Sequence, residues 1–207
     1  MAWPLWSSLL GDVLSNGFPN DTAVVPGGAA NQVPLGLTNV KASGNLWMQT
    51  PAGGKAPAGT GSGYIVALAT IPANAFDAAN RNVTISANGN FAANGNNKAI
   101  SIVVNPTAPA VGSVVSGGTT IAASGTVATN GSAWALAADI IKTGANGSNT
   151  QTALHQSAVC GSVVEVLTAC QSLTLPENAA ITVAVVINNT TTAGDATLWN
   201  FQGQWFN

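Results

Sequence analysis

The sequence predicts an all-β protein, an antiparallel β-sandwich preceded by a short N-terminal helix and arm. Three observations lead there. Apolar residues recur at every second position in a series of short stretches. Asn-Gly pairs and Gly/Pro clusters punctuate those stretches at regular spacing. Charged residues make up only 6% of the 207 positions while hydrophobic residues make up 46%, so Asn, Ser and Thr must face the water. Disordered chains combine low hydrophobicity with high net charge, and this chain has neither.

The first 35 residues read as an arm, with the sandwich spanning 36–207. Within the arm, Trp6, Leu9, Leu10, Val13 and Leu14 fall on one helical stripe, opposite Ser7, Ser8, Gly11, Asp12 and Ser15. Pro4 suits a first helical turn, and Asn16-Gly17 followed by Pro19 supplies a stop. A helix of about a dozen residues is marginal alone in water. Its stripe must dock either on the chain's own body or on a partner subunit. Trp3 and Trp6 sharpen the second alternative, because each large aromatic buries about 150–250 Å² when it finds a partner. Trp3, Trp6, Leu9, Leu10, Val13 and Leu14 are therefore the candidate partner-binding residues. Residues 18–35 hold three prolines and read as a tether, and Thr50–Gly63 as a Gly/Pro/Ala-rich surface excursion.

Strands are expected in turn at Tyr64–Ile71, at Val83, Ile85, Ala87 and Phe91 with Gly89 as a bulge candidate, and at Ile100, Ile102 and Val104. Thr120–Val127 is a weaker strand, followed by Trp134, Leu136, Ala138 and Ile140. Val163–Thr168 is a short run; Ile181, Val183, Val185 and Ile187 alternate fully, and Trp199, Phe201, Gly203 and Trp205 close the chain. Turn signals stand at Asn94-Gly95, Asn130-Gly131, Asn146-Gly147 and Asn188–Gly194. Val83–Phe91 and Ala99–Val104 are expected to pair as antiparallel neighbours across "AANGNNK", where Asn and Gly supply positive φ and side-chain-to-backbone bonds. Alternation implies one wet face per sheet. Trp134, Trp199 and Trp205 fall on the inward phase, whereas Trp47 fits either core or a surface groove.

The composition excludes several classes of function. Four lysines and one arginine scattered along the chain make no basic patch, so nucleic-acid binding by phosphate neutralisation is not expected. No run approaches the roughly 20 apolar residues that span a bilayer, and the apolar N-terminus lacks the basic start of a signal peptide. His155 is the only histidine, placed as an exposed strand or loop residue, and no nucleophile, zinc or phosphate-loop motif accompanies it. No catalytic residue, cofactor or metal is expected. Cys160 and Cys170 read as buried free thiols, with a disulfide as the alternative.

Three segments carry a resemblance. "ATIPANAFDAANRNVTISANGNFAANGNNKAISIVVN" (69–105) resembles a segment recurring in virion proteins of tailed bacteriophages. There an Ile/Val-Pro-Ala opening, a loop, a strand, an Asn-rich turn and a Lys-started strand follow in this order. "NGSAWALAADIIKTGANGSNTQT" (130–152) is similar to that family's next landmark, and "ENAAITVAVVINNTTTAGDATLWNFQGQWFN" (177–207) to its closing strands. The chain departs from the pattern at "NPTAPAVGS", where the family often has a Gly-Gly turn.

The resemblance implies a jelly roll serving as a structural module of the particle: a head decoration or cement protein, a head fibre, or a tail or baseplate part. As cement the chain would be non-enzymatic and located in the virion, after assembly in the bacterial cytoplasm. It would bind itself, as a homotrimer, and the major capsid protein. The alternative is a host-recognition module binding a glycan, for which Trp47 with Tyr64 is the candidate pair.

Overall fold

The computed structural model describes residues 44–128, 130–159 and 170–206. By its internal contacts the chain divides into Asn45–Trp205, which is the sandwich, and a second unit of Met1–Gly44 with Phe206–Asn207. The arm, with Trp3, Trp6, Leu9, Leu10, Val13 and Leu14, lies outside the described residues, as do the Val163–Thr168 run and Cys160.

Ten strands are described: β1 (Gly44–Gln49), β2 (Tyr64–Ile71), β3 (Asn82–Ala93), β4 (Lys98–Val104), β5 (Thr119–Val127), β6 (Asn130–Lys142), β7 (Gln151–Val159), β8 (Gln171–Leu173), β9 (Ile181–Asn189) and β10 (Ala196–Phe206). They form a six-stranded sheet, order β1-β10-β3-β6-β7-β8, and a four-stranded sheet, order β2-β9-β4-β5. The neighbours β1–β10, β2–β9, β3–β6 and β4–β5 are nested pairs. That order results when one long two-stranded ribbon is rolled into two sheets, which is the jelly roll. Strands β7 and β8 widen the six-stranded sheet beyond the roll.

Inward side chains of both sheets fill the core. Val83, Ile85, Ala87 and Phe91 of β3 meet Trp134, Leu136, Ala138 and Ile140 of β6, Ile100, Ile102 and Val104 of β4, and Ile181, Val183, Val185 and Ile187 of β9. Each large aliphatic here contributes about 1.5–3 kcal/mol by leaving water. Polar residues between them hold the register. On β3 the intervening Thr84, Ser86, Asn88 and Asn90 would all be buried by a slip of one residue.

Several expectations are corrected. Strands β3 and β4 do not pair: β3 bonds to β6, and β4 to β5 and β9. The "AANGNNK" connection crosses between sheets, so Phe91 and Ile100 face one core from opposite sides. No residue of that connection adopts positive φ; the expected side-chain-to-backbone bond is present, Asn96 N–H donating to Asn94 Oδ1 at 3.1 Å. Gly89 is not a bulge, since β3 and β6 stay in register through it. It is glycine because a Cβ would lie 1.8 Å from the Thr197 carbonyl oxygen and 2.6 Å from the Trp134 ring. Gly203 repeats this arrangement beneath Trp47, whose ring would be 2.4 Å from an added Cβ. Each tryptophan thus covers a cross-strand glycine.

Trp199 is not core. The inward phase of β10 runs through Ala196 and Leu198, slips by one, and resumes at Phe201 and Gly203. The slip turns Trp199 outward, 48% exposed. Asn130-Gly131 is not a turn but the start of β6. Strands β1, β7 and β8 were not expected. The Thr50–Gly63 segment is less of an excursion than its composition suggests. Lys55 exchanges backbone hydrogen bonds with Leu198, at 2.7 and 2.9 Å, and Pro57 is buried. Cys170 is a free, exposed thiol rather than a buried one.

The four-stranded sheet departs from the one-wet-face expectation. Ile65, Val103, Ala184 and Val186 form a second apolar cluster on its outer side, with Leu68 and Val115 packed against it. The segment 105–118 reaches β2, where Ile65 N–H donates to the Ser113 carbonyl at 2.9 Å and Gly112 N–H to the Ile65 carbonyl at 2.8 Å. Its Val115 adds to the cluster.

Candidate interaction surface

Charge is placed unusually. Among the described residues Arg81, Lys98, Lys142, Glu177 and Asp195 are buried, Asp77 and Asp139 are half-buried, and Lys55 alone among charged residues is exposed. Burying a charge is costly unless it is paired and hydrogen-bonded. Each buried charge here has such partners.

Lys98 opens β4 on the inward phase set by Ile100 and Ile102. Its Nζ donates to the carbonyls of Asn94 and Asn96 at 2.8 and 2.9 Å and stands 5.8 Å from the Phe91 ring centre. Burial lowers its pKa, partly opposed by the charge of Asp195. Burial would raise the Asp195 pKa, but donors more than offset it. Asn94 Nδ2 at 2.7 Å, Asn96 Nδ2 at 2.9 Å and the Thr192 N–H at 3.0 Å, with Lys98 beyond them, hold the carboxyl below its usual range. The asparagine-rich turn is therefore a clamp. It fastens the β3–β4 crossing to the 3-10 turn Ala193–Asp195 that leads into β10.

Lys142 ends β6 on the inward phase of Ile140. Its Nζ meets the Glu177 carboxylate directly and donates to Ser148 Oγ at 2.7 Å. Glu177 Oε2 accepts from the Gly147 N–H at 2.7 Å. Burial would raise the Glu177 pKa, but the bonds from Lys142 and from the Gly147 and Asn149 segment keep it below the usual carboxylate range. At a third place Arg81 pairs with Asp77 and lies 5.6 Å from the Trp205 ring centre. The Trp205 indole N–H donates to the Ala75 carbonyl at 3.1 Å.

Turning these charges inward leaves little charge on the surface of the described residues. The outer face of the six-stranded sheet carries Thr84, Ser86, Asn88 and Asn90 on β3, and Ala133, Ala135, Ala137 and Asp139 on β6. Asp139 is engaged there by the Thr84 hydroxyl. Among the described residues the exposed large apolar side chains are Met48, Leu154, Trp199, Phe206, Val111 and Val114.

The expected glycan pair does not assemble. Trp47 and Tyr64 lie on strands of opposite sheets. The Trp47 ring packs against Phe201, 5.3 Å between centres, so it belongs to core rather than groove. His155 stands on β7 opposite Ala138, and its side chain lies outside the described residues. Among the described residues no three His, Cys, Asp or Glu side chains cluster as a metal site would need. The buried lysines were missed from sequence although a signal was present: Lys98 precedes Ile100, and Lys142 follows Ile140, by two residues on an inward phase. No protein-family model and no curated protein matches the chain.

Proposed function

We propose that this chain is a non-enzymatic structural subunit of a bacteriophage particle, a capsid cement or decoration protein that binds the outer head surface and stabilises it through subunit contacts. The observation that carries the reading is the inward placement of charge. A subunit that must lie against copies of itself and against a coat gains from a surface free of like-charge repulsion. The same surface suits weak contacts that repeat over a lattice and add through effective concentration. The jelly roll and the resemblance over residues 64–207 support the same reading. The arm, through Trp3, Trp6, Leu9, Leu10, Val13 and Leu14, is the proposed anchor on a neighbouring subunit or the major capsid protein.

The test uses full-length protein and heads stripped of it. The double variant W3A/W6A should lose co-sedimentation with heads by at least tenfold in affinity while its far-UV spectrum stays that of a β protein. Unchanged binding removes the anchor.

A second reading rests on Trp199. Its half-exposed indole, between Leu198 and Asn200 on β10, offers a stacking surface for a sugar. Binding on a glycan array that is lost in W199A would move the protein to a tail or fibre role.

A further inference from the structure

The Lys142 site holds more than an ion pair. Lys142 and Gln151 are cross-strand partners in the β6–β7 register, and both are buried, 0% and 2% exposed. Such partners carry Cβ atoms about 4.5–5.5 Å apart. Glu177, 5% exposed, lies against both: its Oε1 meets Lys142 Nζ and accepts from Gln151 Nε2 at 3.4 Å. The amine and the amide nitrogen thus converge on one carboxylate oxygen. On the other side of the amide, Gln151 Oε1 accepts the Leu175 N–H at 2.8 Å, while Nε2 also donates to the Leu175 carbonyl at 3.1 Å.

We propose that Lys142 and Gln151 form an intramolecular isopeptide bond, with Glu177 moving the proton. In this reaction Glu177 takes a proton from the Lys142 ammonium, and the free amine attacks Cδ of Gln151. The Leu175 N–H stabilises the oxyanion that develops on Oε1. Glu177 returns its proton to Nε2 and takes the second proton from Nζ, the Cδ–Nε2 bond breaks, and the leaving ammonia carries that proton away as ammonium while the Nζ–Cδ amide forms. One amide is exchanged for another, so no oxidant or activated co-reactant is needed. Fixing amine and amide in one buried site supplies the proximity that a bimolecular aminolysis lacks.

Aminolysis of an unactivated amide is slow, so the link is expected to accumulate over days. The product would staple the C-terminal end of β6 to the start of β7. This inference is independent of the virion reading.

Intact-mass measurement of the full-length protein, held for days at neutral pH, tests it. The expected mass is below that of the sequence by one ammonia. Trypsin acting on the denatured protein should then fail to cut after Lys142, so that 99–142 and 143–207 stay joined in one product whose fragments place the link at Gln151. A mass equal to that of the sequence overturns the proposal. So does loss of ammonia with normal cleavage after Lys142, the result of succinimide formation at an Asn-Gly pair. E177Q should keep the full mass; a link formed in it at the wild-type rate overturns the role of Glu177.

Discussion

The two sheets solve the same problem with different surfaces. In β3, of the six-stranded sheet, buried and half-buried residues alternate almost to its end, and the outward side chains are short and polar. In β9, of the four-stranded sheet, five successive residues from Val183 to Ile187 are buried. One sheet meets water with Asn, Ser, Thr and Ala, whereas the other is enclosed on both sides at its centre. A sheet face with few charges can stay in water if its side chains hydrogen-bond, and must be covered if they do not.

The sharpest contrast comes from placing one carboxylate on each outer face. Val186→Asp puts an unpaired charge into the second apolar cluster and should prevent folding, seen as loss of soluble protein. Ala135→Asp, on the outer face of the six-stranded sheet, should shift the urea midpoint by no more than about 0.5 kcal/mol in stability. Equal effects would erase the distinction between the sheets.

A smaller contrast compares the two lysines, one in each sheet. Measured against fresh wild type, whose Lys142 is still unlinked, Lys142→Met strands Glu177 without its cation and should cost about 3–5 kcal/mol in urea denaturation. Lys98→Met removes bonds to two carbonyls, and Asp195 keeps its three donors; about 1–3 kcal/mol is expected. The reverse order would mean that the Lys98 clamp is the main fastening.

The pH dependence follows from Glu177 and Asp195. Both carboxyls have lowered pKa values when folded, so the unfolded chain binds more protons in acid. Their stabilisation is complete above the unfolded values, about 3.9–4.3, and fades as pH falls through the folded ones. The melting temperature should be level from neutrality to about pH 5 and drop below about pH 4. Asp195→Asn should flatten part of that drop. The smallest effect is expected at Thr84→Val, which frees the half-buried Asp139 on the wet face: about 0.2–1 kcal/mol by urea denaturation.

Much of the roll was legible because long strands repeat their pattern. Tyr64–Ile71 matches β2 at both ends, and every aliphatic assigned inward on β3, β4, β6 and β9 is buried. Strand β7 escaped because its inward Ala153 is small and its larger Leu154 faces out, which inverts the hydrophobic signal. β1 escaped because Leu46, Trp47 and Met48 are consecutive rather than alternating. Trp199 was misplaced because a one-residue slip in β10 has no local signature. Sheet membership was illegible at the "AANGNNK" turn, since a crossing and a hairpin use the same turn residues. At the charged sites the spacing alone put Lys98 and Lys142 in phase with the core. Their carboxylate partners come from distant loops that no local pattern connects.

Salt dependence of the proposed attachment to heads probes the scarcity of outward charge most directly. Full-length protein should co-sediment with phage heads to the same extent in low salt and in about 1 M NaCl, where the Debye length is only about 3 Å. Release at high salt would mean that charge holds the subunit in place, and would contradict an attachment made by uncharged and apolar surfaces.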